Sequence, residues 1–289
     1  MKILGWEFAM RLRGIKGSRN IEDRRGGGGK RRAAGGIGGV GLLVVLAVGY
    51  FTGVDVTPLL DGAQQPQQTQ SRQVSAEDER AGQFTSAVLA TTEQVWTKIF
   101  REQLDLPYNA PVLVLYSGVT QSPCGGASGA TGPFYCPADK KAYLDTSFFT
   151  TMSQQLGAGG DFAAAYVIAH EVAHHVQNEL GILPKVDQAR RASSTTEANA
   201  LTVRLELMAD CLSGVWARNV EGLLERGDLE EALNAARMIG DDHLQRQAGR
   251  VPNPHTFTHG TSAQRARWFD VGFDTCNIGR CDTFAAERL

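Results

Sequence analysis

Cysteine is scarce in this chain of 289 residues: there are five, none in C-x-x-C spacing. That excludes a thiolate-built metal site, and no Cys–His pairing supports a cysteine nucleophile. Net charge is almost absent, with 29 Lys and Arg against 31 Asp and Glu for a formal −2. There is no internal repeat, which excludes a solenoid. The little net charge is uneven. Residues 1–32 hold ten basic side chains against Glu7, Glu22 and Asp23, a net +7 that leaves −9 on the remainder. A mildly acidic body excludes nucleic acid as the partner of the globular part.

Charge of either sign is missing altogether from Ala33 to Val54, twenty-two residues that end at Asp55. A helix of that length spans about 33 Å, enough for the hydrocarbon core of a bilayer. A cleaved signal peptide is the rival reading. Against it stand the long basic lead, the lack of an A-x-A site, and the interfacial pair Tyr50 and Phe51. The expectation is an uncleaved single-pass anchor in a cytoplasmic membrane. Residues 1–32 then form a basic cytoplasmic tail, 33–54 the transmembrane helix, 55–76 a flexible Gln-rich linker, and 77–289 an extracytoplasmic domain. The cysteines agree with an oxidising compartment. Cys124 with Cys136, and Cys276 with Cys281, bracket short loops and read as two disulfides, leaving Cys211 as an inert core thiol.

The outer domain reads as α+β with more helix than sheet, one hydrophobic core and a small β-sheet. Ser75 with Asp78 resembles a capping box that opens a helix carrying Phe84, Val88, Val95 and Ile99 on one face. Val112–Tyr116 and Ala142–Asp145 read as short strands, either of which could be an edge for an extended peptide. Asp228–Gln245 and Ser262–Gly272 read as late helices.

The chemistry concentrates in His170-Glu171-Val172-Ala173-His174, an HExxH inside an apolar, Ala-rich helix from Phe162 to Val176. Residues i and i+4 share a helix face, so both imidazoles can address one ion. Glu171 stands where its carboxylate can reach a water on that ion. The bland alternative is a buried helix whose histidines are satisfied by backbone carbonyls. Two adjacent ionisable groups at the end of an all-apolar run need a partner, which a metal would supply. Downstream, Thr195–Val220 reads as a long helix with the apolar stripe Leu201, Leu205, Met208, Leu212 and Val215. It carries Glu206 and Asp210 at i and i+4, a pattern that more commonly marks a solvated face. Set 32 residues after the HExxH, in apolar surroundings, Glu206 is the expected third ligand of one zinc ion. Asp210 would then orient a ligand histidine. His175 is rotated off the ligand face and His243 lies in a charged stretch. His255 or His259 could reach the site as an oxyanion donor, and spacing does not choose between them.

Several long strings together resemble the bacterial neutral zinc metallopeptidases of the YpfJ type. They are Ser18-Arg-Asn-Ile-Glu-Asp-Arg-Arg-Gly26, Gly132-Pro-Phe-Tyr-Cys-Pro-Ala-Asp139, Ala165 through Gln177, Arg204 through Cys211, Ile239-Gly-Asp-Asp242, and Phe257 through Ser262 leading to Arg265 and Trp268. Met1 to Met10 depart from the family's start and read as an upstream extension. The resemblance implies a membrane-anchored, zincin-like peptidase of the gluzincin kind, with Glu206 as ligand and His259 ahead of His255 as the oxyanion donor; Tyr135, Tyr143 and Tyr166 are outside candidates. The expected activity is peptide hydrolysis with Glu171 as general base. The rival readings are a catalytically silent zinc-binding scaffold and a zinc hydrolase acting on cell-wall amides.

Overall fold

The structure is a computed structural model that describes residues 10–12, 14–26, 74–128 and 132–289. A four-stranded sheet has the order β1 (Ile21–Asp23), β2 (Val112–Tyr116), β6 (Lys141–Asp145), β5 (Phe134–Cys136). The first three are parallel, and β5 runs antiparallel to β6. Between β2 and β5 the chain makes a separate hairpin, β3 (Val119–Ser122) with β4 (Gly125–Ser128). Both strand segments expected from sequence form, but as inner strands; the edges are β1 and β5.

The rest is helical. Helix α1 (Ala76–Ile99) opens on the expected capping box, Ser75 accepting from the Asp78 amide while Asp78 accepts from the Ser75 amide. It continues as a short π turn, Phe100–Leu104, that ends at Asp105 with φ 53°. After α2 (Phe148–Gln154) comes the HExxH helix α3, Asp161–Glu179, whose segment Phe162–His170 is entirely buried. A helix apolar on every face must be surrounded, and it is. Helix α5 (Thr195–Asn219) and helix α6 (Asp228–Met238) pack on it, α1 adds a further side, and α4 (Ile182–Arg191) bridges α3 to α5. Helix α5 also opens on a capping box, Ser194 with Glu197.

Helix α8 (Ser262–Thr275) lies against α5 with backbones touching. A Cβ on Gly272 would stand 1.8 Å from the Cys211 carbonyl oxygen, and one on Gly214 2.0 Å from that of Phe269. Only glycine permits that approach. The segment expected as one helix over 228–245 divides into α6 and α7 (Asp241–Gln247). Gly240 at the break packs on Ser262, whose nitrogen a Cβ would approach to 2.4 Å.

The expected disulfide pairing is corrected. The disulfides are Cys124–Cys136 and Cys211–Cys281, and Cys276 is the free thiol. Cys276 caps α8 in the left-handed region at φ 49°, whereas Cys281 is turned into the core against α5, where Cys211 is fully buried. Nearness in sequence misled; the bond closes 70 residues.

The described part of the expected basic tail, residues 10–12 and 14–26, packs on the domain. Ile21, Glu22 and Asp23 pair with Leu113, Val114 and Leu115 as an edge strand. Lys141 on β6 reaches Glu22 at 2.6 Å, and Ser18 exchanges hydrogen bonds with Ser86 on α1. Gly26 also meets Val74, whose Cγ2 lies 3.4 Å from where a Gly26 Cβ would be. Residues 26 and 74, at the ends of two described segments, therefore lie side by side. The proposed span 33–54 and most of the linker 55–76 lie outside the described residues, among which no helix is long and apolar enough to cross a membrane.

Closing so long a loop stabilises by about 2–4 kcal/mol. Cys281→Ser should lower unfolding stability by that amount in denaturant titrations, with Cys276→Ser within about 0.5 kcal/mol of wild type. A loss in Cys276→Ser equal to that in Cys281→Ser would restore the Cys276–Cys281 pairing.

Candidate metal centre

The HExxH spacing puts His170 and His174 one helical turn apart on α3, rings perpendicular with centroids 4.8 Å apart. Helix α5 crosses here and delivers Glu206 to both. Its Oε2 lies 3.1 Å from His170 Nε2, and its Oε1 3.4 Å from His174 Nε2. Ligand atoms of all three residues lie within 4.8 Å of one another. Ligands at ~2.0–2.1 Å from one tetrahedral zinc are about 3.3 Å apart, so the spacing fits. The side chains are 9%, 12% and 14% exposed, which leaves a small opening to solvent.

The electrostatics also suit a cation. Burial opposes the charge on Glu206, but His174 and His170 outweigh it and hold its carboxyl well below the usual range. Burial likewise opposes a charge on His170, and Asp210 and Glu206 outweigh it, raising its pKa. Two carboxylates thus hold positive charge on a buried imidazole, which is the demand a bound metal would meet.

Asp210, one turn after Glu206 on α5, faces the other side of His170, its Oδ1 3.0 Å from Nδ1. It is fully buried, and Arg265 of α8 clasps it with two hydrogen bonds of 2.9 Å, Nε to Oδ2 and Nη2 to Oδ1. The Tyr166 hydroxyl donates to the same Oδ1 at 2.5 Å. Sequence reasoning anticipated Asp210 but not its guanidinium partner, which stands 55 residues away on another helix. His174 has a different neighbour: its Nδ1 lies 2.9 Å from Oε1 of buried Gln177, one turn further along α3.

Glu171, next to His170 on α3, makes no hydrogen bond to another described residue; burial raises its pKa, with His174 and His170 opposing. His175 is directed away, as expected: its Nδ1 meets the Tyr135 hydroxyl at 3.0 Å and its Nε2 the Asn109 carbonyl at 2.6 Å. The tyrosines weighed as oxyanion donors are engaged elsewhere. Tyr135 is held by His175, Tyr143 donates to Asp139, and Tyr166 to Asp210. His259 sits in a loop gathered by Asp241, whose Oδ2 accepts from the amides of Thr258, His259 and Gly260 at 2.7, 2.6 and 2.9 Å. Its side chain is 49% exposed, and its Nδ1 is 3.3 Å from Asp241 Oδ1. Burial disfavours its charge, but Asp241 and Glu206 prevail and raise its pKa. His255 lies apart on an exposed turn.

A second group, Asp161, Asp228 and Glu231, gathers where α3 begins. It is carboxylate only and accepts backbone amides, Met10 to Asp161 and Phe162 to Glu231. Imidazole is the better zinc ligand, so the candidate zinc centre is the histidine one.

Comparison with known proteins agrees with the geometry. Residues 10–284 match the family described as "Putative neutral zinc metallopeptidase". A protein of Escherichia coli K12, "Uncharacterized protein YpfJ", is 50% identical over 285 residues, covering 95% of this chain and 99% of its own. A Mycobacterium bovis protein, "Uncharacterized protein Mb2605", is 43% identical over 195 residues, 63% of this chain and 65% of its own. No solved structure matches.

Removing one partner of a buried pair strands the other charge, at a cost of about 3–5 kcal/mol. Arg265→Met should destabilise by that amount in urea titrations, and adding Asp210→Asn to it should recover part of the loss. A cost below about 1 kcal/mol for Arg265→Met would show that Asp210 does not depend on it.

Proposed function

Because the chain belongs to the neutral zinc metallopeptidase family, we propose that it hydrolyses peptide bonds at the centre formed by His170, His174 and Glu206. The observation that carries this is the convergence of two imidazole nitrogens and a carboxylate at 3.1 and 3.4 Å beside a carboxylate with no other partner among the described residues, Glu171. One zinc per chain would be held by those three side chains, with Asp210 behind His170.

A zinc ion held by His170, His174 and Glu206 would act as a Lewis acid toward the scissile carbonyl and the attacking water. Glu171 takes the proton from that water and returns it to the leaving amine. Its raised pKa makes it a stronger base toward the water than an ordinary carboxylate, and its carboxyl is still acid enough to return the proton to the amine. His259, whose affinity for a proton is raised by Asp241, would donate to the carbonyl oxygen as it becomes negative. Strand β5 pairs only with β6 among the described residues and packs on α3, so its outer edge can align an extended peptide.

On location, the two disulfides support an oxidising compartment outside the cytoplasmic membrane. The pairing of β1 with β2 supports a revised topology in which residues 10–26 share that side with the domain.

Glu171→Gln should retain stoichiometric zinc and lose about 10²–10⁴-fold in kcat/KM on an unstructured protein substrate. Full activity in that variant would remove Glu171 from the mechanism, while zinc-loaded wild type inert to peptides but active on muropeptides would redirect the substrate class. For topology, a reporter fused before Met10 and one fused after Leu289 should register the same side of the membrane. Opposite sides would mean that β1 does not pair within its own chain.

A further inference from the structure

A glutamine buried without exposure inside an apolar helix needs a reason, because each of its amide groups must find a partner there. Gln177 finds both. Its Nε2 donates to the Leu205 carbonyl at 2.7 Å, and its Oε1 is the atom 2.9 Å from His174 Nδ1. We propose that Gln177 is a positioning residue of the metal centre, fixing the tautomer of His174 and tying α3 to the residue that precedes the ligand Glu206. The inference rests on the reading of His170, His174 and Glu206 as the zinc ligands.

The hydrogen-bond directions follow by elimination. A backbone carbonyl only accepts, so the Gln177 end facing Leu205 is the NH₂ group. The end facing His174 is then the carbonyl oxygen, which also only accepts. His174 must supply the hydrogen, and its Nδ1 is therefore protonated. Its other nitrogen, Nε2, faces Glu206 at 3.4 Å and is left with its lone pair for a metal. One amide thus selects the ligand atom of the second histidine and fixes the height of α5 beside it.

The two histidines are held unequally. His170 has a buried carboxylate at its Nδ1, itself neutralised by Arg265, while His174 has a neutral amide. A carboxylate at both would add a second buried anion with no guanidinium to match it. Glutamate at 177 could still accept from His174 but would set its other oxygen against the Leu205 carbonyl. Glutamine satisfies both contacts, and a shorter Asn would not reach across to α5.

The test uses the full chain. Zinc dissociation constants are measured by chelator competition for wild type, Gln177→Met and Gln177→Glu, and the ¹⁵N shifts of His174 are recorded in zinc-loaded wild type. We expect Nδ1 protonated with Nε2 on the metal, and 10–100-fold weaker zinc binding in Gln177→Met, as is usual when such an outer partner is lost. Gln177→Glu should keep the Nδ1–H tautomer yet still bind zinc more weakly than wild type. Zinc affinity within twofold of wild type in Gln177→Met, or metal on Nδ1 of His174, would overturn the proposal while leaving the centre in place. If Gln177→Met does not fold, the ¹⁵N shifts of wild type decide alone. Wild type that binds no zinc would instead overturn the reading of the centre itself.

Discussion

Asp210 is a fully buried anion, and the arrangement of three helices follows from keeping it satisfied. An isolated carboxylate in such surroundings would be protonated or would drag water inward. Here Arg265 closes on it with two hydrogen bonds, Tyr166 adds a third, and His170 stands at 3.0 Å. Those partners come from α8 and α3, so one side chain on α5 fixes both neighbours. The paired glycines of α5 and α8 belong to the same constraint. Backbone contact at Gly214 and Gly272 brings Arg265 close enough to reach Asp210. Glu206 then falls one turn away from Asp210, opposite both histidines.

The charge ledger of the site is consistent with that frame. Arg265 neutralises Asp210, which leaves Glu206 as the negative charge turned toward the two imidazoles. Without a metal, Asp210 and Glu206 together outweigh burial and raise the affinity of His170 for a proton; a divalent cation would compete for the same place.

How much of this was legible in the sequence depends on the range of the interaction. Local patterns were: the HExxH helix, the capping box at Ser75, and the i, i+4 relation of Glu206 to Asp210 all rest on residues close in sequence. Interactions across long separations were not. Arg265 carries no local mark of its attachment to Asp210. Cys281 looked suited to Cys276 because a short loop joins them, and nothing nearby reveals that it turns inward to Cys211. Strand β1 was hidden because three residues in a basic segment carry too little pattern to compete with a charge count. Gln177 lies just past the apolar run Phe162 to Val176, and its tie to Leu205 on α5 comes only from the fold.

The central claim is that His170, His174 and Glu206 together hold one zinc ion. Zinc X-ray absorption on the loaded full chain, compared with Glu206→Ala, tests it most directly. The account predicts a first shell of two imidazole nitrogens and oxygen in the wild type, with zinc lost or bound far more weakly in the variant. Unchanged stoichiometric, tight zinc in Glu206→Ala, or sulfur in the wild-type shell, would contradict it.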